Sequence, residues 1–418
     1  MLSYIKRQLM TMHQQGKEVS EVFKYIGPGL IVTVGFIDPG NWAANLAAGA
    51  SFGYELLWVV TLSTIMLILL QHNVAHLGIV TGRCLSECAY DHLPRGWAYF
   101  LLSTAGIAAA ATTLAELIGS AIALQMLFNI PIPVGAILTA IVCTAMLVTN
   151  SYLKFEKIIA GFVSLIAFAY LAELWMVDVN WSAAAVGWVK ISEPPNSMFV
   201  ILSILGAVIM PHNLFLHSEI IQSRHFNLEE PEVMRKQLRY EFLDTLFSMG
   251  IGWAINSAMI ILAAATFYVH GYEVTELEQA KELLVPLIGP SAGTIFALAL
   301  LFAGFASSAT AGMAGASIFA GMFGESYDMK DFHSRVGLFL TYVPALVLIY
   351  FIEDSFTALL LSQMFLSMQL PITIFLQLYL TGSQKVMGIY KNKRSTQIVL
   401  WSIGIIVTGM NVYLLIVG

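Results

Sequence analysis

The stretch GFIDPGNWAANLAAG, residues 35–49, interrupts a long apolar run near the start of the chain. Within it, Asp38, Pro39, Gly40 and Asn41 follow one another where a membrane helix would otherwise continue. Proline removes a backbone donor and clashes with the preceding turn, so a helix should break at Pro39. An ionisable side chain inside a membrane is costly and marks a functional site. The stretch therefore predicts a broken membrane helix that carries a functional carboxylate.

The composition is that of a membrane protein. Hydrophobic residues make up 58% of the 418 residues and charged residues only 11%, whereas soluble domains carry about a quarter charged residues. The formal net charge of −6 does not indicate a nucleic-acid partner, and the 3 cysteines do not make a disulfide framework. Residues 1–24 are too polar for a signal-peptide core, so we expect a cytoplasmic N-terminal segment there.

Apolar runs long enough to cross a bilayer occur eleven times, and we number them spans 1 to 11. Their predicted limits are 27–48, 55–80, 97–127, 132–150, 158–177, 198–221, 240–268, 288–320, 335–352, 355–380 and 395–416. With the N-terminus in the cytoplasm, all of the 20 Lys and Arg residues except Lys190 and Lys281 lie on the inner side. This bias follows the positive-inside rule. It predicts a multi-pass protein of the cell (plasma) membrane whose C-terminus is extracellular.

A second break matches the first. The stretch GAVIMPHNLFLHS, residues 206–218, places Pro211 near the centre of span 6, as Pro39 lies in span 1. One proline kink is common in membrane helices, but matched breaks five spans apart are typical of an inverted-repeat transporter with its site between the broken helices. The predicted all-α architecture is a ten-helix core at 25–380, with repeats at 25–178 and 197–380, and an eleventh helix at 394–418.

The side chains at the two breaks favour a transition-metal ion. Asp38 offers a carboxylate oxygen, Asn41 an amide oxygen and Met210 a thioether sulfur. Each break also frees backbone carbonyls. Oxygen ligands alone would suit Mg²⁺ or Ca²⁺, whereas a thioether among oxygens favours Mn²⁺, Fe²⁺, Co²⁺ or Cd²⁺. His212 fits three roles, as a ligand, a packed histidine or a proton carrier, and the titration of histidine near neutrality favours the last.

Four other functions fit the sequence less well. A sodium-coupled amino-acid carrier would avoid Asp38, which would repel a substrate carboxylate, and a magnesium carrier or channel would not need Met210. An intramembrane enzyme would need a nucleophile–base pair, and a metal-sensing receptor would need a soluble output domain; the sequence has no recognisable form of either. We therefore expect a transporter and not an enzyme, with no cofactor and no obligatory protein partner. Its expected partners are divalent metal ions, protons and the lipid bilayer.

Several motifs together resemble one family over essentially the whole chain. They are DPGNWAANLAAGASFGYELLWV in spans 1 and 2, LAELIGSAIAL in span 3, GAVIMPHNLFLHS in span 6, SSATAGMAG in span 8 and LSQMFLSMQLP in span 10. They are similar to motifs of the Nramp family of divalent metal transporters, of the bacterial manganese-transporter type. The resemblance implies a LeuT-type fold and import of Mn²⁺ or Fe²⁺ with proton cotransport. It also implies a metal site formed by Asp38, Asn41, Met210, the carbonyl of Ala207 and, when the outer gate closes, Gln363.

The chain departs from the family pattern at several positions. A further carbonyl ligand usually belongs to an alanine and would here come from Gly35. Thr113 stands three residues before Glu116, where the family has an acid on its proton route, and Leu338 stands where an arginine is common. The remaining candidates for a proton pathway are Glu116, His212 and Asp38. A weakly coupled or uncoupled divalent cation transporter of the same fold is therefore the alternative to proton cotransport.

Overall fold

The computed structural model describes residues 28–35, 37–149, 152–224, 230–272, 274–278, 285 and 290–417. The predicted cytoplasmic segment at residues 1–24 lies outside them. The described residues are helical apart from short connections, and no strand occurs among them. This agrees with the predicted all-α class.

A helix or a pair of helices occupies each predicted span. Spans 1 and 6 are each formed by two short helices, Pro28–Gly35 with Pro39–Phe52, and Met198–Val208 with Pro211–Ile220. The others are Leu57–Thr81, Arg95–Phe128, Ile132–Thr149, Tyr152–Trp175, Pro231–Ala263, Pro290–Gly321, Phe332–Ile349, Ser355–Gly382 and Arg394–Val417. A π-helical turn, Ala264–Tyr268, continues span 7. Short connecting helices lie at Leu85–His92, Trp181–Val189, Ile221–Arg224, Gln384–Met387 and Gly388–Tyr390.

Length and hydropathy alone identify 9 membrane-spanning helices in the described part of the chain. Span 1 is not among them: its two halves have 8 and 14 residues, whereas the two halves of span 6 are counted together as Met198–Ser223. The apolar part of span 5 is counted only as a shorter helix, Ala160–Trp175. Together with spans 1 and 5 the nine helices account for the eleven predicted spans.

Span 3 runs through the middle of the bundle and approaches two other spans through glycines. A β-carbon on Gly119 would overlap the ring of Pro39 in span 1, and one on Gly304 in span 8 would overlap the hydroxyl of Ser120. Small residues let membrane helices approach this closely. Span 3 therefore packs closely against span 8 on one side and against the break in span 1 on another.

The two broken spans are also held by close contacts with spans 7 and 10. In span 1, a β-carbon on Gly49 would overlap the carbonyl oxygen of Ile260 in span 7. In span 6, a β-carbon on Gly206 would overlap the carbonyl oxygen of Gln363 in span 10. The backbones of these helices therefore touch, and Asp38 and Met210 at the two breaks are fully buried.

The outer helices present apolar side chains to the surroundings. Of the most apolar window of span 6, 94% is buried inside the protein, against 28% for span 11. Ile405 of span 11 is 62% exposed, Phe168 of span 5 72% and Ile141 of span 4 60%. Side chains of this kind at the surface of a long apolar helix face lipid. The chain is a multi-pass membrane protein.

Candidate metal site

Each of the two prolines begins a new helix. The first half of span 1 ends at Gly35, and Pro39 with Gly40 opens its second half. The first half of span 6 ends at Val208, and Pro211 opens its second half. Proline suits the first position of a helix because the N–H that it lacks would have no partner there. The structure therefore has a helix break at both predicted positions.

Each proline also lacks the N–H that would bond the carbonyl four residues before it. A helical carbonyl accepts from the N–H four residues later. That residue is Pro39 for Gly35, and it is Pro211 for Ala207. Gly35 and Ala207 are the two residues whose carbonyls are predicted as ligands. Free carbonyls at the end of a helix carry the negative end of its dipole, which favours a cation.

Asp38 lies between the halves of span 1 with both carboxylate oxygens engaged. Its Oδ1 accepts a hydrogen bond from the N–H of Asn41 at 2.8 Å, so Asp38 caps the second half of the span. Its Oδ2 accepts from Nε2 of Gln363 at 3.4 Å. Asp38 is fully buried. A charge at this depth needs a cation or a proton beside it.

Gln363 connects span 10 to both broken helices. Its side chain lies where a β-carbon on Gly40 would be, and its backbone oxygen lies against Gly206. Its Nε2 donates to Asp38, while Oε1 is buried without a hydrogen-bond partner in the described part of the protein. Buried acceptors are almost always satisfied, so a free one at a polar centre points to a missing partner. Gln363 thus offers one free amide oxygen beside Asp38.

Met210 is the residue immediately before the second break, and it is fully buried. Its side chain packs against Ala108 of span 3 and Leu366 of span 10. Leu366 lies three residues after Gln363, on the same face of span 10. The Met210 side chain therefore packs against span 10 about one helical turn from Gln363, the residue that contacts Asp38.

A chain of amides leads away from the site between spans 1 and 7. Nδ2 of Asn45 donates to Oδ1 of Asn41 at 3.1 Å and to Oδ1 of Asn256 at 2.8 Å. An amide oxygen has two lone pairs, and Asn45 uses one of those on Asn41. Asn45 therefore orients the predicted ligand Asn41, and Asn256 orients Asn45.

Glu116 of span 3 is paired with Asp38. The two carboxyl groups lie close enough to interact with each other. Glu116 also accepts from the hydroxyls of Thr112, at 3.2 Å, and of Ser307 in span 8. Two carboxyl groups can share a hydrogen bond only when one of them holds a proton. The predicted proton carriers Asp38 and Glu116 are thus brought together.

Thr113 stands one residue beyond Thr112 and has another role. Its hydroxyl donates to the carbonyl of Ala109 in its own helix at 2.8 Å. Its hydroxyl is therefore used within span 3, and the structure gives no hydrogen bond from it to Glu116 or Asp38 among the described residues. The sequence drew attention to Thr113 because the family has an acidic residue at that position. It did not indicate Thr112 and Ser307, which are the residues that contact Glu116.

His212 lies in the first turn of the second half of span 6 and is 1% exposed. Its Nδ1 is buried without a hydrogen-bond partner in the described residues. The next histidine of that helix, His217, is paired instead, with Oε1 of Gln71 at 2.9 Å. A role of His212 in proton transfer remains a prediction.

Comparison with known proteins identifies the family. A family model described as Nramp, natural resistance-associated macrophage protein-like, matches residues 29–417. The chain belongs to the Nramp family. It is 37% identical over 413 residues to the divalent metal cation transporter MntH of Listeria innocua, covering 96% of this chain and 91% of the relative. It is 36% identical over 409 residues to the MntH protein of Caldanaerobacter subterraneus, covering 96% of each.

Solved structures confirm the fold. The manganese transporter of Eremococcus coleocola superposes with a TM-score of 0.83 at 28% identity, covering 93% of this chain and 85% of that one. The nucleobase-cation-symport-1 family transporter Mhp1 superposes with a TM-score of 0.66 at 12% identity, covering 93% and 89%. The second likeness concerns the fold alone. The predicted LeuT-type inverted repeat with an additional eleventh helix is thus confirmed for this Nramp protein.

Proposed function

We propose that this protein transports divalent transition-metal ions, Mn²⁺ above all, and that Fe²⁺, Co²⁺ and Cd²⁺ are further substrates. The observation that supports this function is the set of buried donors at the two helix breaks. The set combines the Asp38 carboxylate, the Met210 sulfur and the free Oε1 of Gln363 with the carbonyls of Gly35 and Ala207. Hard oxygens with one soft sulfur suit borderline transition metals better than Mg²⁺ or Ca²⁺. The names of the relatives point to the same substrate class.

The burial of the site supports transport by alternating access. Asp38, Met210 and Gln363 are all 0% exposed, so an ion can reach them only after helices move. Span 10 is the natural moving part because Gln363 contacts both broken helices at once. A membrane potential that is negative inside favours import by about 2.3 kcal/mol per charge per 100 mV.

Proton cotransport is supported by the paired carboxyl groups. Because the buried carboxyl groups of Asp38 and Glu116 lie close together, a proton shared between them relieves their repulsion when no metal is bound. A divalent ion that binds Asp38 repels this proton, which then passes to Glu116. Binding of the metal ion at Asp38 is in this way coupled to movement of a proton to the adjacent Glu116.

Weakly coupled transport is the second candidate, and Thr113 favours it. Its hydroxyl is bonded within its own helix and carries no acidic proton. A proton on Glu116 therefore has no second carboxyl group at that place to receive it. In this version Mn²⁺ enters while the proton stays within the Asp38–Glu116 pair.

Uptake by proteoliposomes tests the proposal. We expect Mn²⁺ to accumulate under an inward-negative potential, and we expect Asp38→Ala to reduce uptake at least about tenfold because an interaction with a charged ligand is lost. Asp178→Ala, which removes an exposed carboxylate, is the matched control. Unchanged Mn²⁺ uptake by Asp38→Ala would overturn the site. Internal pH recorded in the same vesicles decides between the coupled and the weakly coupled form.

A further inference from the structure

Asn213 has the same place in the second break that Asn41 has in the first. In span 1, Asp38 precedes the proline and Asn41 follows Asp38 by three residues. In span 6, Met210 precedes the proline and Asn213 follows Met210 by three residues. Asn213 is 2% exposed. The predicted ligand Asn41 therefore has a buried counterpart in the other repeat.

The amide of Asn213 is hydrogen-bonded to the sulfur of Met210. Its Nδ2 donates to Sδ at a distance of 3.4 Å. With Nδ2 used in this way, Oδ1 is buried without a partner in the described part of the protein. A buried amide oxygen without a donor is uncommon and is expected where a ligand supplies the missing partner.

Gly35 provides the space that this amide occupies. A β-carbon at Gly35 would overlap Nδ2 of Asn213 and would lie 2.7 Å from Cγ and 2.9 Å from Oδ1. Any other residue at position 35 would displace the amide from the sulfur of Met210. The carbonyl of Gly35 is itself a proposed ligand, so the amide lies against two residues of the proposed site.

We infer that Asn213 is a positioning residue of the proposed metal site, where it holds the sulfur of Met210 in place and so affects which ions bind. This inference rests on the proposed function. Methionine has three rotatable bonds, and ordering them upon metal binding costs free energy. A hydrogen bond that orders the side chain beforehand strengthens binding of ions that use the sulfur. The benefit is larger for Cd²⁺, which prefers soft ligands, than for Mn²⁺.

Calorimetric titration of the purified full-length protein with Cd²⁺ and with Mn²⁺ tests this role. We expect Asn213→Leu, which keeps the branched shape of the side chain but removes its hydrogen-bonding atoms, to weaken Cd²⁺ binding about 2- to 10-fold, the size of one net hydrogen bond, and Mn²⁺ binding less. The readout is the ratio of the two affinities, because a merely structural defect would lower both alike.

Two double-variant comparisons test the mechanism. On a Met210→Ala background, Asn213→Leu should leave the Cd²⁺ to Mn²⁺ affinity ratio unchanged, because there is no sulfur left to hold. Gly35→Ala should lower the ratio as Asn213→Leu does, and should have no further effect on an Asn213→Ala background, where its β-carbon has room. Gly161→Ala is the control, since a β-carbon there has no neighbour within 4 Å.

The outcomes separate this inference from the proposed function. If Asp38→Ala fails to weaken Mn²⁺ binding, the proposed site itself is overturned. If Asp38→Ala weakens it but Asn213→Leu and Gly35→Ala both leave the affinity ratio unchanged, only the role of Asn213 is overturned. An effect of Asn213→Leu that is equally large with and without Met210 also overturns that role.

Discussion

Gln363 of span 10 donates a hydrogen bond from Nε2 to Oδ2 of Asp38 in span 1, at a distance of 3.4 Å. This contact joins a helix of the second repeat to the break in the first. Both residues are fully buried, so the contact lies out of reach of water. The same glutamine keeps its Oε1 free, so one side chain both covers the site and offers it an oxygen.

Replacement of Gln363 by alanine should weaken Mn²⁺ transport without abolishing it. The variant loses one amide oxygen and the hydrogen bond to Asp38, while the other proposed ligands remain. We expect the KM for Mn²⁺ to rise about tenfold, the usual effect of one hydrogen bond to a charged group. Gln384→Ala, in an exposed connection after span 10, is the control. A KM equal to that of the parent protein would exclude Gln363 from the site.

A β-carbon at Gly206 should prevent span 10 from packing against span 6. It would overlap the backbone oxygen of Gln363, which cannot move aside as the end of a side chain can. We expect Gly206→Ala to lower the free energy of unfolding by about 1–3 kcal/mol and to slow Mn²⁺ uptake. Thermal unfolding and uptake measure the two effects. Gly106→Ala, with open space around its β-carbon, should change neither.

Replacement of Glu116 by glutamine should separate metal entry from proton entry. The amide keeps the shape of the side chain and its oxygen can still accept from either Thr112 or Ser307, but it cannot take the proton of Asp38. We expect Mn²⁺ uptake to continue at a reduced rate while acidification per Mn²⁺ falls at least about tenfold, since a general proton acceptor is lost.

The control for this variant is Glu173→Gln, which alters a buried carboxyl group in span 5. It should leave the number of protons per Mn²⁺ unchanged. An unchanged proton count in Glu116→Gln would show that protons do not pass through the Asp38–Glu116 pair.

Removal of the sulfur of Met210 should make the transporter less selective. With oxygens alone, the site resembles one for hard cations, so Ca²⁺ and Mg²⁺ should compete better with Mn²⁺ in Met210→Ala. Inhibition of Mn²⁺ uptake by increasing Ca²⁺ measures this. Met249→Ala truncates another fully buried methionine, in span 7, and should leave competition as it is. Equal competition in both variants would contradict a role of the thioether.

The length of an apolar run predicted a span's limits well where the whole helix is apolar. Span 2, predicted at 55–80, is Leu57–Thr81 in the structure. Span 7, predicted to begin at 240, begins at Pro231, because its first two turns are helical but polar. Because polar groups are costly to bury in lipid, hydropathy detects the ends of the part of a helix that lies in the membrane. The helix itself can continue beyond those ends into water.

The candidate site could be proposed from the order of residues along the chain where its members lie next to the breaks, as Asp38, Met210 and the prolines do. The carbonyls of Gly35 and Ala207 were proposed from the family resemblance. The signal for Asn213 was also present, as the match to Asn41. Contacts such as that of Ser307 with Glu116 join spans 3 and 8, and only the packing of those helices brings them together.

The most direct test of the central claim, that one sulfur and several oxygens bind the ion between the two breaks, is X-ray absorption spectroscopy of Cd²⁺ bound to the purified protein. We predict one sulfur among oxygen ligands in the parent protein and oxygen ligands alone in Met210→Ala. Met249→Ala should give the parent spectrum. An all-oxygen shell in the parent protein, or a sulfur that persists in Met210→Ala, would contradict the account.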